Sequence, residues 1–164
     1  MTEINAGNVA PNFSLKGPDG KSYSLSSLLE KGPVVVAFFK VSCPVCQFTF
    51  PFLERLFQSY GASDTTFLGI SQDDAKATKA FADKYGSTFP IALDEQGYPA
   101  SNAYGLTMVP TVFLVKPDGT VKVSSMGFVK QDLENIATEL ASRRKMATAP
   151  LFRTDERIPA NKPG

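Results

Sequence analysis

The sequence predicts an α/β fold with parallel strands at its centre, and two observations lead there. Two runs of β-branched and aromatic residues, PVVVAFF at Pro33–Phe39 and TTFLGIS at Thr65–Ser71, read as strands covered on both faces. Each is followed by a helical pattern long enough to cross back over a sheet, which is how parallel neighbours are joined. The composition agrees: 164 residues, 43% hydrophobic and 20% charged, suit one globular domain that buries a core of its own.

In chain order, Asn12–Lys16 and Ser22–Leu25 flank the turn signal GPDG and predict a short N-terminal β-hairpin, after which SLSSLLEKG gives one brief helical turn. Beyond the first buried strand, Val45, Phe48, Phe52, Leu53, Leu56 and Phe57 recur at helical steps. They predict an amphipathic helix from Pro44 to about Tyr60, kinked at Pro51. The second buried strand leads into a helix from about Asp73 to Tyr85, with Asp73 or Asp74 near its start. FPIALDEQGYPASNAYGL gives a short extended piece and a small helix, and TVFLVKPDGTVKVSSMG a hairpin with KPDG at its tip. A helix from Lys130 to about Arg144 closes a domain over residues 1–144, and residues 145–164, rich in Pro and polar side chains without periodicity, are expected to be an extended or mobile tail.

Charge excludes some roles. A formal net charge of +1 leaves no electrostatic footprint for nucleic acid, and SRRK at Ser142–Lys145 reads as a solvated helix end. The first residues carry an acid and no apolar run, unlike a secretory leader, and no stretch has the length of a membrane span. The expectation is a soluble, cytoplasmic protein without membrane association.

The chemistry-bearing stretch is KVSCPVCQF, Lys40–Phe48, which holds both cysteines of the chain. A zinc site needs three or four Cys or His donors; with two cysteines and no histidine no metal is expected, although two chains sharing a metal through paired motifs is a conceivable variant. A disulfide closing so short a loop constrains the unfolded chain little, so a structural staple fits poorly. In a reducing compartment a cysteine pair is more often catalytic. Cys43 falls where a strand hands over to a helix N-terminus, among unpaired N–H groups that favour thiolate, and reads as the nucleophile. Cys46, one turn further in, is placed to attack the mixed disulfide and release product. Pro44 suits the first helical position, where its missing N–H goes unused, and Lys40 is a candidate for added positive charge. Downstream, Pro110 in MVPTVFLV precedes an apolar strand, a position at which a cis proline is a specific feature.

Together, the buried strand, the C-x-x-C, the helix with Pro51, the VPT before a strand and the KPDG hairpin resemble the thioredoxin fold. The N-terminal hairpin and the inserted strand-helix between Thr65 and Tyr85 resemble the branch of TlpA-like thiol-disulfide oxidoreductases and AhpC/TSA (redoxin) proteins, from about Val9 to Leu140. The resemblance implies a central mixed sheet flanked by helices, and a docking edge at Val109 and Pro110 where an extended substrate adds as a strand. Pro44 and Val45 would line it. It also implies protein disulfides as substrates, an upstream dithiol reductant, no cofactor, and a monomer.

Departures from the family pattern are specific. Relatives usually carry Trp just before the C-x-x-C; here Val41 and Ser42 stand there and the chain has no Trp. The positions of the usual proton acceptors for the second cysteine fall on Ala37 and Thr49, leaving Asp94 or Glu95 as loop candidates. Peroxiredoxins place Pro seven and Thr or Ser three residues before the peroxidatic cysteine. For Cys46 these positions hold Phe39 and Cys43, for Cys43 Val36 and Lys40, so both registers fail. The reading is a thiol-disulfide oxidoreductase; a peroxiredoxin-type thiol peroxidase with antioxidant activity and a redox-sensing binding module stand as alternatives.

Overall fold

The computed structural model describes residues 3–164. A hairpin of β1 (Ser14–Lys16) and β2 (Ser22–Ser24) leads into α1 (Leu25–Leu29), whose first turn is capped by the Ser24 hydroxyl accepting from Ser27 N–H. Two strand-helix units follow: β3 (Val34–Phe39) with α2 (Pro44–Tyr60), and β4 (Thr66–Ser71) with α3 (Ala75–Tyr85). Then come β5 (Ile91–Leu93), α4 (Pro99–Ala103), β6 (Thr111–Val115), β7 (Val121–Met126), β8 (Phe128–Val129), α5 (Lys130–Arg143) and β9 (Asn161–Lys162).

Seven strands form one mixed sheet in the order β2-β1-β5-β4-β3-β6-β7. The two strands read from sequence as buried neighbours pair in parallel, Val34 opposite Thr66 through Phe39 opposite Ser71. On the other side β3 meets β6 antiparallel, with Phe38 opposite Thr111. That register decides where chemistry can happen, because it sets the start of β6, and the residues just before it, beside the end of β3.

The continuous apolar run of β3 is explained by what covers it. Val35, Ala37 and Phe39 face a core built with Phe50, Leu53 and Leu56 of α2, Phe81 of α3 and Leu133, Ile136 and Leu140 of α5. Val34, Val36 and Phe38 face the opposite core with Leu25, Tyr104 and Phe113. A strand with alternating polarity could not serve both layers. Asp74 is the residue that caps α3, its carboxylate accepting from Ala77 N–H at 2.8 Å, and Gly86 ends the helix in a left-handed conformation (φ 71°).

The stretch after α5 packs along α2 and β8, with a turn closed by Glu156 N–H donating to the Arg153 carbonyl at 3.1 Å. Phe152 sits 5.0 Å from the Phe52 ring and 6.1 Å from Phe128, centroid to centroid. Arg55 donates to both carboxylate oxygens of Glu156, at 2.8 and 2.7 Å, and to the Leu151 carbonyl at 3.2 Å. β9 pairs antiparallel with β8, Phe128 opposite Lys162 and Val129 opposite Asn161.

Candidate active site

The end of β3 delivers the chain to the N-terminus of α2, and Cys43 is the N-cap of that helix in extended conformation, with Pro44 in its first turn. The Cys43 sulfur accepts the Cys46 backbone N–H at 3.2 Å, so a donor that the helix leaves unpaired points at the thiol. Cys43 is partly exposed and both thiols are free. Cys46, one turn further in, is fully buried. That burial, reinforced by its hydrogen bond with Cys43, pushes its thiol pKa well above the ordinary range.

The peptide bond between Val109 and Pro110 is cis, as the sequence expected at this strand entry. The Cys43 thiol lies 3.5 Å from the Val109 carbonyl oxygen, to which it donates. Val45 and Val109 are half-buried against the same core as Cys43, while Pro44 and Lys40 are exposed.

Asp73 and Gln47 hold the loop that presents Cys43. Val41 N–H donates to the Asp73 carboxylate at 2.8 Å, and Val41 carbonyl accepts from the Gln47 side-chain amide at 2.9 Å. Both backbone groups of the residue two before the nucleophile position are thus tied by side chains. Asp73 is itself anchored by its N–H to the Ser71 hydroxyl at 3.1 Å, which in turn bonds Thr78 at 2.7 Å. A helix start was one expectation for Asp73; Asp74 takes that task and Asp73 reaches across to the neighbouring loop. The parallel pairing of β3 and β4 contained the signal, since the loops that follow two parallel neighbours emerge side by side.

The suggested proton acceptors do not converge on Cys46. Asp94 is buried and fully used in starting α4: one oxygen accepts from Ala100 N–H at 2.9 Å, the other from Ser101 N–H at 2.8 Å and the Ser101 hydroxyl at 2.7 Å. It follows β5, two strands away from β3. Glu95 lies beside it in a cleft with Ser14 and Lys16. Thr49 turns its hydroxyl to the Val45 carbonyl at 2.7 Å. Among the described residues no cluster of three or more His, Cys, Asp or Glu side chains could hold a metal ion, and no helix is long and apolar enough to cross a membrane.

Residues 6–124 match the model of the AhpC/TSA family. The chain belongs to that family. Among curated relatives, the thiol-disulfide oxidoreductase ResA of Geobacillus thermodenitrificans is 32% identical over 141 residues, 82% of this chain and 80% of ResA. Among solved structures, a Chlorobium tepidum protein assigned as the thiol:disulfide interchange protein DsbE superposes with a TM-score of 0.75 at 25% identity, over 85% of this chain and 98% of its own. The peroxidoxin BcpB of Mycobacterium tuberculosis shares the fold, with a TM-score of 0.69 at 23% identity over 88% and 99% of the two chains. This AhpC/TSA protein has the thioredoxin-like architecture and is a thiol-disulfide oxidoreductase carrying a Cys43–Cys46 pair.

Proposed function

We propose that this protein reduces protein disulfides by a two-step exchange in which Cys43 attacks and Cys46 resolves. The observation that carries the assignment is the asymmetry of the pair: Cys43 is partly exposed at the helix mouth and accepts an N–H, whereas Cys46 is fully buried behind it with a raised pKa. The Cys43 thiolate attacks one sulfur of the substrate disulfide, forming a mixed disulfide and expelling the other sulfur as thiolate, which takes up a proton. Cys46 then gives up its proton and attacks the Cys43 sulfur, expelling the second substrate thiolate and leaving a Cys43–Cys46 disulfide. Two electrons pass to the substrate, and an upstream dithiol restores them.

Val109 and cis-Pro110 form the edge on which an extended substrate segment adds as a strand, with Pro44 and Val45 flanking it. Proximity of the Val109 carbonyl to Cys43 supports that placement. The two free thiols are the electron-donating form of the site; the cytoplasm as compartment and a monomer as working form belong to the same proposal. The domain proper then spans residues 1–144, and residues 145–164 form an appended tail.

The test is trapping. Cys46→Ser mixed with a protein disulfide accumulates a covalent adduct through Cys43, read by intact mass and released by dithiothreitol; an adduct through neither cysteine, or wild-type turnover by the variant, contradicts the roles.

A further inference from the structure

The chain's own last residues lie on the edge where a substrate is proposed to dock. β9 brings the tail antiparallel onto β8, with Lys130 N–H donating to the Ala160 carbonyl at 2.9 Å. Gly127 (φ 71°) is so closely covered that a Cβ there would strike the Lys162 carbonyl. The Lys162 ammonium stands 4.8 Å above the Phe48 ring. Gly164 is packed so tightly against the Val109 carbonyl that a side chain could not be accommodated, and it borders the Met108 sulfur. The same Val109 oxygen lies 3.5 Å from the Cys43 sulfur. A substrate strand pairing with Val109 and the segment 161–164 therefore claim the same carbonyl.

We propose that Asn161–Gly164 is a built-in occupant of the docking edge, displaced by each substrate and selecting which disulfides reach Cys43; this deepens the docking role assigned to Val109 above. The segment is held so that it can leave. Its firm anchors lie upstream, in the Arg55–Glu156 pair and the packing of Phe152, whereas the last four residues rest on a two-residue strand pair, the Lys162–Phe48 contact and the contact of Gly164. A two-residue strand pair flanked by exposed residues opens at low cost. Its departure uncovers the Phe48 ring, which stacks edge-on with Phe128 at 5.0 Å. The disulfides favoured are therefore those in extended, unfolded segments with an apolar side chain next to the cysteine, which replace both the backbone contact at Val109 and the cover on Phe48. Small disulfides need no edge and reach Cys43 directly.

The experiment compares the unaltered protein with Glu156→Ala/Lys162→Ala, which loosens the segment without touching Cys43, Cys46 or Val109. Two probes are used: hydroxyethyl disulfide, and the disulfide dimer of an extended peptide with Phe beside its Cys. Since apparent affinity scales with the fraction of molecules whose edge is open, loosening is expected to raise kcat/KM for the peptide about threefold to tenfold. The rate with hydroxyethyl disulfide stays within about twofold. A peptide rate that is unchanged or lowered while hydroxyethyl disulfide reacts normally overturns the occupant and leaves the exchange chemistry standing. Failure of the unaltered protein to react with either disulfide overturns the exchange reading and the occupant with it. An independent readout needs no loosened variant: in Cys46→Ser trapped with the peptide, the Lys130 amide and the amides of the β8–β9 pair exchange hydrogen faster than in the free protein. Equal protection in both overturns displacement.

Discussion

The Cys43 thiol and the Val109 carbonyl stand 3.5 Å apart although 66 positions separate them in the chain. The antiparallel register of β3 and β6 creates that meeting by setting Phe38 opposite Thr111. Cys43 follows β3 and Val109 precedes β6, so two paired strands bring nucleophile and docking edge together, and the loop between β3 and α2 is the element that must be held in place.

That loop is clamped by Asp73, and its removal has a specific signature. Asp73→Ala leaves the half-buried Val41 N–H without a partner, a loss of about 1–3 kcal/mol in stability. Exchange with hydroxyethyl disulfide falls because Cys43 is no longer presented. Asp73→Asn keeps an acceptor and recovers most of both. Denaturant unfolding and the exchange rate of the two variants check this; equal rates for Asp73→Ala and the unaltered protein would show that the clamp does not position the thiol.

The buried thiol of Cys46 makes the release step depend on pH. Its pKa is raised, first by burial and then by the hydrogen bond with Cys43, so it is protonated at neutral pH. Loss of the mixed disulfide, followed in single turnover, should accelerate as pH rises from 7 to 9, about tenfold per unit where the thiolate fraction limits. A flat profile would mean that a base not identified among the described residues takes the proton.

Stability carries the same shift with the opposite trend. Below the ordinary thiol pKa of 9.0, both folded and unfolded chains keep the Cys46 proton and its contribution is constant. Above it the unfolded chain releases the proton while the folded chain retains it, so stability falls as pH rises, at about 1.4 kcal/mol per pH unit. Tyr104, also buried and raised, adds a similar loss only above its ordinary value of 10.0. The difference between the reduced unaltered protein and Cys46→Ala isolates the thiol, because Tyr104 is common to both. Parallel pH dependences would contradict the burial of Cys46.

The tail's anchor responds to acid. The Arg55 guanidinium beside Glu156 lowers its carboxyl to about 2. Attachment through this pair is therefore complete above the ordinary carboxyl value of 4.5 and is lost as pH falls through about 2. Hydrogen exchange of residues 149–164 measured at pH 5 and pH 2.5 should show selective loosening at the lower value, and Glu156→Ala should show it at both. Uniform protection of the tail at both pH values in the variant would place its attachment elsewhere.

Much of this was legible in the sequence because the signals were local or periodic. The double-sided burial of β3, the three-and-four spacing in α2 and the position of Cys43 at the helix mouth all follow from side chains that are near neighbours in the chain. The Asp73–Val41 bond spans 32 positions, and the Arg55–Glu156 pair spans 101. Nothing in the composition of ATAPLFRTDERIPANKPG announces that Phe152 finds Phe52 and Phe128 or that a glycine meets Val109. Asp94 misled for a related reason: an acid after a strand reads as free until the helix it caps is in place.

The central claim, that Cys43 and Cys46 act as a disulfide-exchanging pair, is tested most directly by stopped-flow mixing of the reduced protein with a peptide disulfide and, separately, with hydrogen peroxide, identifying the reacting cysteine by mass. Rapid consumption of the disulfide through Cys43 and slow reaction with peroxide are expected. Rapid peroxide consumption through either cysteine, with sluggish disulfide exchange, would contradict it.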